Sequence, residues 1–301
     1  MRKKTRLPTR KELVRLLDEI GTILSHEPCF IQLDPGKKRI IVLGDLHSDH
    51  AALELAIQKY FDKNSILICL GDYIDRPVEF GDGILTAVTI LDLKRKYPDR
   101  VFLLRGNHEF AEVNGQYGFR DEVLHCYDEE IWARFNSVFD ELPLIIRTMN
   151  KVLLLHGGLP DVSSINDIEN LPKVSFAEEN KFVDQIVWND CLPRKTSLLI
   201  VADRGVPNTF TYGQDFFEKQ MKLFDCNVLI RGHQYIMKGV IFDQKCITLH
   251  TTKLYAGFPR ETSKYYKDFF PPLPGRTIAI IPPKTIQCAE DLEIIELEKS
   301  S

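Results

Sequence analysis

Between Thr9 and about Ser25, Leu13, Leu16, Leu17, Ile20 and Leu24 recur every three or four residues, while Lys11, Glu12, Arg15 and Asp18 fall largely off that stripe. The spacing predicts an amphipathic helix that covers part of the remaining chain. Arg39-Ile40-Ile41-Val42-Leu43 is then a short apolar run that stops at Gly44, and a helical pattern follows from His50 to Tyr60. Ser65 to Leu70 reads as a second strand ending at Gly71, Asp82 to Lys96 as a helix, and Val101 to Leu104 as a third strand ending at Arg105-Gly106. This alternation of strand and helix predicts a parallel α/β unit, whose functional groups belong at the carboxyl ends of its strands.

Further along, a longer helical region runs from about Arg120 to Asp140. Leu144 to Arg147 and Val152 to Leu155, separated by Met149-Asn150-Lys151, read as a hairpin. Val228 to Ile230, Val240 to Phe242, Ile247 to His250 and Thr277 to Ile281 are short strands with tight connections, and they predict a second sheet, mixed or antiparallel. The expected architecture is α/β, two mixed sheets packed face to face with helices outside. Residues 1–35 are expected to form an N-terminal helical segment and residues 36–301 the main domain.

Composition narrows the setting. A chain of 301 residues that is 44% hydrophobic and 27% charged buries one large core. A net charge of −4 gives no general basis for binding nucleic acid, and only the start, with Arg2, Lys3, Lys4, Arg6, Arg10 and Lys11, is basic. Seven scattered cysteines without a C-x-x-C pair fit a reducing compartment. With no apolar run of about 18 residues and no cleavable leader pattern, neither a membrane span nor secretion is expected, and the cytoplasm is the expected location.

Five stretches then carry the chemistry: GDLHSD from Gly44, GDYIDR from Gly71, RGNHE from Arg105, LLHGG from Leu154 and RGHQ from Arg231. Each places metal-ligating or proton-transferring side chains just after strand-forming residues. Asp45 and His47 flank Leu46, so in extended backbone both would point the same way. Asp72, Asn107, His108, His156 and His233 follow other strands. Mixed Asp, His and Asn donors suit a borderline divalent ion such as Mn, Fe or Zn rather than Mg or Ca. The donors are too many for one ion, which argues for two.

GDLH, GDYIDR, RGNHE, HGG, the DRGVPNTFTYG run from Asp203 and RGHQ together resemble the PPP family of metal-dependent serine/threonine protein phosphatases, within the calcineurin-like metallophosphoesterase superfamily. The match spans about Ile40 to Tyr255. The resemblance implies an αββα sandwich with a dinuclear centre between the sheets. It assigns Asp45, His47 and Asp72 to one ion, with Asp72 bridging to a second held also by Asn107, His156 and His233. The implied reaction is hydrolysis of phosphoserine and phosphothreonine esters by hydroxide held between the ions, with a phosphoprotein or phosphopeptide as partner. His108 would protonate the leaving oxygen and Asp75 would orient its imidazole. Arg76 and Arg204 match the family's phosphate-clamping arginines, and Asn107 and Tyr255 would also meet substrate.

Arg105 and Arg231 are read as structural neighbours of ligand-bearing turns, Asp190 as a residue that orders the site and Trp188 as core. Asn189 stands where the family has serine, a change expected to matter little. Ser48 and Pro77 stand where the family has glycine, and proline excludes positive φ, so the turn after Arg76 must differ. A dinucleotide polyphosphate hydrolase or a nuclease could reuse such metal ligands, and a phosphoprotein-binding module that turns over slowly is a rival of another class. No Cys is followed six residues later by Arg, and no P-loop Gly-Lys-Ser/Thr occurs.

Overall fold

The computed structural model describes residues 6–197, 199–201, 205–235, 239–256 and 275–297. The chain opens with α1 (Arg10–Ser25), β1 (Phe30–Leu33), β2 (Arg39–Leu43), α2 (His50–Tyr60), β3 (Ser65–Cys69), α3 (Asp82–Lys96) and β4 (Val101–Leu103). Next come α4 (Ala111–Asn114), α5 (Phe119–Cys126), α6 (Glu129–Phe139), the hairpin β5 (Ile145–Thr148) and β6 (Val152–Leu155), α7 (Asn166–Glu169) and α8 (Lys181–Trp188). The last part holds β7 (Asp190–Cys191), β8 (Ile200–Val201), β9 (Phe210–Tyr212), α9 (Gln214–Leu223), β10 (Val228–Arg231), β11 (Gly239–Ile241), β12 (Cys246–Thr248), β13 (Thr277–Ile281) and β14 (Glu293–Glu296).

Two mixed sheets dominate. One runs β14-β13-β2-β3-β4, the other β1-β5-β6-β10-β12-β11, and β7-β9-β8 form a small third sheet. β2, β3 and β4 are parallel, as the alternating pattern predicts. Because side chains alternate across a strand, each large sheet buries both faces. Ile40, Val42, Ile66 and Ile68 from one sheet share a cluster with Ile146, Leu154, Val228 and Ile230 from the other. The opposite residues, Ile41, Leu43, Leu67 and Cys69, pack under α1, α2 and α3, whereas Leu153, Leu155 and Leu229 pack with α8 and α9. The result is helix, sheet, sheet, helix, the αββα sandwich.

The N-terminal leucine stripe behaves as its spacing predicts: Leu13, Leu16, Leu17, Ile20 and Leu24 are buried, and α1 lies against α3 and α6. Its start is fixed by a capping box, in which Glu12 N donates to Thr9 Oγ1 and Thr9 N donates to Glu12 Oε2 at 2.7 Å. The described helices include none long and apolar enough to cross a membrane.

The structure adds to or corrects the sequence reading at three points. The helical region from Arg120 to Asp140 is two helices, because Asp128 adopts extended backbone and accepts from Ile131 N at 3.0 Å, capping a new start at α6. Thr277–Ile281 does not join the second sheet; it pairs antiparallel with β2, and its alternating residues fill both cores of the first. Apolar alternation announces a strand without naming its partner. Two strands carry no signal in the pattern above: β1, which pairs parallel with β5, and β14, which pairs with β13.

Candidate metal centre

The site forms where strands of both sheets end. Asp45 and His47 follow β2, Asp72 follows β3, Asn107 and His108 occupy a single 3-10 turn after β4, His156 follows β6, and His233 follows β10. All are buried. Parallel strands of two facing sheets therefore deliver their terminal side chains to one place, although these residues are far apart in sequence.

Asp45 and His47 do not share an extended strand face, which corrects the alternation argument. His47 has φ +40° and Ser48 φ +61°, so the chain turns sharply through left-handed backbone. The turn brings His47 Nε2 to 3.9 Å from Asp45 Oδ2 and 3.5 Å from Asp72 Oδ2. Left-handed backbone recurs at Asp72, Asp75, Arg76 and His233, the kind of strained geometry that persists where surrounding structure holds it. Its occurrence at Asp75 and Arg76, just before Pro77, shows how this turn is made without glycine. Ser48 fixes the arrangement by donating Oγ–H to Asp75 O at 2.9 Å.

Two overlapping groups of donors result. His47, Asp72 and His108 form one; Asp72, His156 and His233 form the other. Asp72 is common to both. Asn107 Oδ1 adds to the second group, 3.0 Å from His156 Nε2 and 2.9 Å from His233 Nδ1. Asp45 is held by His233 N, which donates to both of its oxygens at 2.9 and 3.2 Å.

The donors suit a divalent cation. His156 Nδ1 lies 3.0 Å from Leu70 O, a carbonyl that can only accept, so the proton sits on Nδ1 and the Nε2 lone pair faces Asn107 Oδ1 and Asp72 Oδ1, the latter at 3.3 Å. The buried space between these groups takes positive charge, either as a proton on Nε2 or as a metal ion in its place. His47 is set the same way, its Nδ1 lying 3.2 Å from Ile74 O and its Nε2 turned inward.

The electrostatics agree with a site that attracts positive charge. Burial would raise Asp72, yet His156, His108 and His47 outweigh it and hold the carboxyl well below its usual range. For Asp45, burial is outweighed by the attraction of His250, and the carboxyl is held at about 2. Burial, followed by repulsion from His108, lowers His47 to about 3 and keeps the imidazole neutral. His156 goes the other way, to about 8, because Asp72 overcomes the effect of burial.

Beside these donors, His108 Nδ1 lies 2.6 Å from Asp75 Oδ2, and Asp75 Oδ1 accepts from Phe119 N at 2.9 Å. Arg76 Nη1 is 3.1 Å from His47 Nε2 and also donates to Tyr255 Oη. Tyr255 is buried and stacks on Tyr235, so the structure brings it to the site despite the weak match of its surrounding sequence. Burial keeps its phenol well above its ordinary pKa, with Arg76 opposing, so the hydroxyl remains a donor. Arg204 lies outside the described residues. A cavity of about 660 Å³ opens beside the turn, lined by residues that include Ser48, Glu79, Phe80 and Lys253.

The supporting residues are placed as read. Arg105 is buried, bonded to Val174 O and Asp140 and lying over Phe110; Arg231 is buried and bonded to Gln234 Oε1 and Asn189 O. Asn189 bonds Leu159 O and Phe210 N, Trp188 packs against the core with its ring perpendicular to that of His233, and Asp190 lies 3.8 Å from His233 Nε2. Two residues escape the motif reading. Glu109 is wholly buried and accepts from Asp72 N, Tyr73 N and Gly106 N at 2.8 to 2.9 Å, tying two donor-bearing loops together. Its place inside RGNHE was the available signal. His250, two residues past the end of β12, has its Nδ1 3.2 Å from Asp45 Oδ2.

The chain is similar to known proteins. The serine/threonine-protein phosphatase C23G10.1 of Caenorhabditis elegans is 31% identical over 252 residues, covering 81% of this chain and 53% of the relative, so the chain spans about half that protein's length. Among solved structures, a serine/threonine phosphatase from Saccharomyces cerevisiae, described as similar to human PP5, superposes with a TM-score of 0.81 at 22% identity, covering 98% of this chain and 91% of its own. A cold-active protein-tyrosine phosphatase from a psychrophilic Shewanella superposes with a TM-score of 0.51 at 16% identity, covering 87% and 79%. These two share the fold. The family model for calcineurin-like phosphoesterases matches residues 38–237, which contain the strand ends and the donors from Asp45 to His233, and the chain belongs to the calcineurin-like phosphoesterase family.

Proposed function

We propose that this protein is a metal-dependent phosphatase that hydrolyses phosphoserine and phosphothreonine monoesters in proteins. The observation that carries the reading is the pair of donor groups joined at Asp72, with Asp45 3.9 Å from His47 to serve as a ligand in place of His108, whose Nδ1 is engaged by Asp75. The relationship to a serine/threonine-protein phosphatase supports the choice of phosphoprotein over other phosphate esters.

Asp45, His47 and Asp72 would hold one divalent ion, and Asp72, Asn107, His156 and His233 the second. Mixed oxygen and imidazole donors favour manganese, with iron or zinc as alternatives. When bound, such a pair polarises the phosphoryl oxygens and lowers the pKa of water so that attack proceeds near neutral pH.

The remaining chemistry belongs to side chains. Asp75 fixes His108 through Nδ1, leaving Nε2 directed toward the site, 3.9 Å from Asp72 Oδ2. From there His108 Nε2–H protonates the departing serine or threonine oxygen, a poor leaving group as the alkoxide. Arg76 exchanges its bond to His47 for phosphoryl oxygens, which its planar guanidinium grips in pairs, and Tyr255 Oη, which accepts from the same Nη1, steadies it. Arg204 is proposed as the second clamp on the strength of its motif. Seven cysteines without a disulfide support a reducing compartment, the cytoplasm.

Phosphate release from a phosphoserine peptide with added manganese tests the reading. Turnover of that peptide in preference to a dinucleotide polyphosphate is expected. Tight binding of the peptide without release would favour a binding module and contradict the proposal.

A further inference from the structure

His250 belongs to none of the ligand-bearing motifs, yet its imidazole is completely buried against Asp45, also completely buried, with Nδ1 3.2 Å from Oδ2. The two backbones are locked together. Asp45 and His250 form a parallel β-bridge, Thr251 N donates to Asp45 O at 2.9 Å, Gly44 N donates to Thr251 Oγ1 at 2.9 Å, and Thr277 N donates to His250 O at 2.8 Å. Asp45 is thus gripped between the His233 amide on one side and the His250 ring on the other.

Packing alone does not account for this histidine. Neither ring nitrogen makes a hydrogen bond among the described residues, and a buried polar group without a partner is costly where an apolar side chain would be free of that cost. The ring also packs at a steep angle against Tyr255, the two ring centres 5.2 Å apart. At 3.2 Å, Nδ1 is close enough to Asp45 Oδ2 for a bond that needs only a small rotation of the carboxylate. Carboxylates that ligate metals are commonly held by such outer hydrogen bonds, which decide which oxygen faces the ion.

We propose that His250 is the positioning residue for Asp45, its Nδ1–H engaging Oδ2 when the carboxylate ligates, so that Asp45 presents a fixed oxygen to its ion. The inference rests on the two-ion reading above. It separates the two halves of the centre, because His250 acts on Asp45 and not on the donors around Asn107.

The test is manganese binding to the full chain, stripped of metal and titrated with free Mn followed by electron paramagnetic resonance, in wild type, His250→Leu and His250→Asn. Melting of the metal-free forms is measured alongside. The leucine variant loses ~10–100-fold affinity for one ion of the two. The asparagine variant, which keeps an N–H near the position of Nδ1, stays close to wild type, and metal-free Tm is the same in all three. Wild-type affinity for both ions in His250→Leu overturns the inference. So do equal losses in both variants that track a fall in metal-free Tm, the mark of a packing residue. A wild-type chain that binds fewer than two ions overturns the two-ion reading, and this inference with it.

Discussion

His108 Nδ1 and Asp75 Oδ2 lie 2.6 Å apart, both buried, and Asp75 is itself anchored by the Phe119 amide. The pairing fixes which nitrogen of His108 faces the site, and with it the direction in which a proton leaves. His108→Asn is expected to slow hydrolysis of a phosphoserine peptide by ~10²–10⁴-fold, the usual range for losing a general acid. Hydrolysis of p-nitrophenyl phosphate, whose leaving group needs little protonation, falls far less. Asp75→Asn acts in the same direction, and the double variant is little worse than His108→Asn alone. Steady-state kinetics on both substrates check this; equal losses on the two would contradict the acid role.

Asp72 is the member shared by both donor groups. Its replacement with asparagine removes a charge from each, so the occupancy of both ions falls together. Elemental analysis after dialysis is the readout, and loss of only one ion would mean that Asp72 does not bridge.

Gly232 has no room for a side chain: a Cβ there would sit 2.1 Å from Asp45 Oδ1. Gly232→Ala displaces that carboxylate, lowering Tm by the equivalent of ~1–3 kcal/mol and weakening metal binding. Calorimetry with and without manganese measures both effects. An unchanged metal affinity would show that Asp45 can move without consequence.

Much of this was legible because the candidate donors lie within a few residues of the strands that carry them. Short runs such as Arg39–Leu43 and Ser65–Cys69 are visible as strands, and the Gly-Asp turns after them mark the site. Long-range pairing was not legible: nothing in Thr277–Ile281 says that it lies beside β2. The left-handed turn at His47 and Ser48 was hidden for another reason, since neither is glycine and the strain is held by tertiary contacts such as Ser48 Oγ to Asp75 O. His250 and Glu109 act on the site through hydrogen-bond distance to other residues, a relation that exists only after folding.

Glu122 gives a pH signature away from the donors. Burial pushes its carboxyl up to about 7, against the pull of the Gly81 and Gly83 amides. The folded state therefore holds a proton that the unfolded chain releases near its ordinary value of 4.5. Its stabilising contribution is full below that value and is lost as pH rises through about 7. Urea unfolding between these limits should show declining stability with pH in wild type and a flatter profile in Glu122→Gln; identical slopes would contradict the assignment.

The central claim is that paired ions held by this constellation hydrolyse phosphoserine. Its most direct measurement is phosphate release from a phosphoserine peptide by the manganese-loaded chain, with bound metal counted in the same samples of wild type and Asp72→Asn. Two ions per chain with steady release in wild type, and loss of both in the variant, is the predicted result. Steady release from a wild-type chain that carries no metal would contradict it.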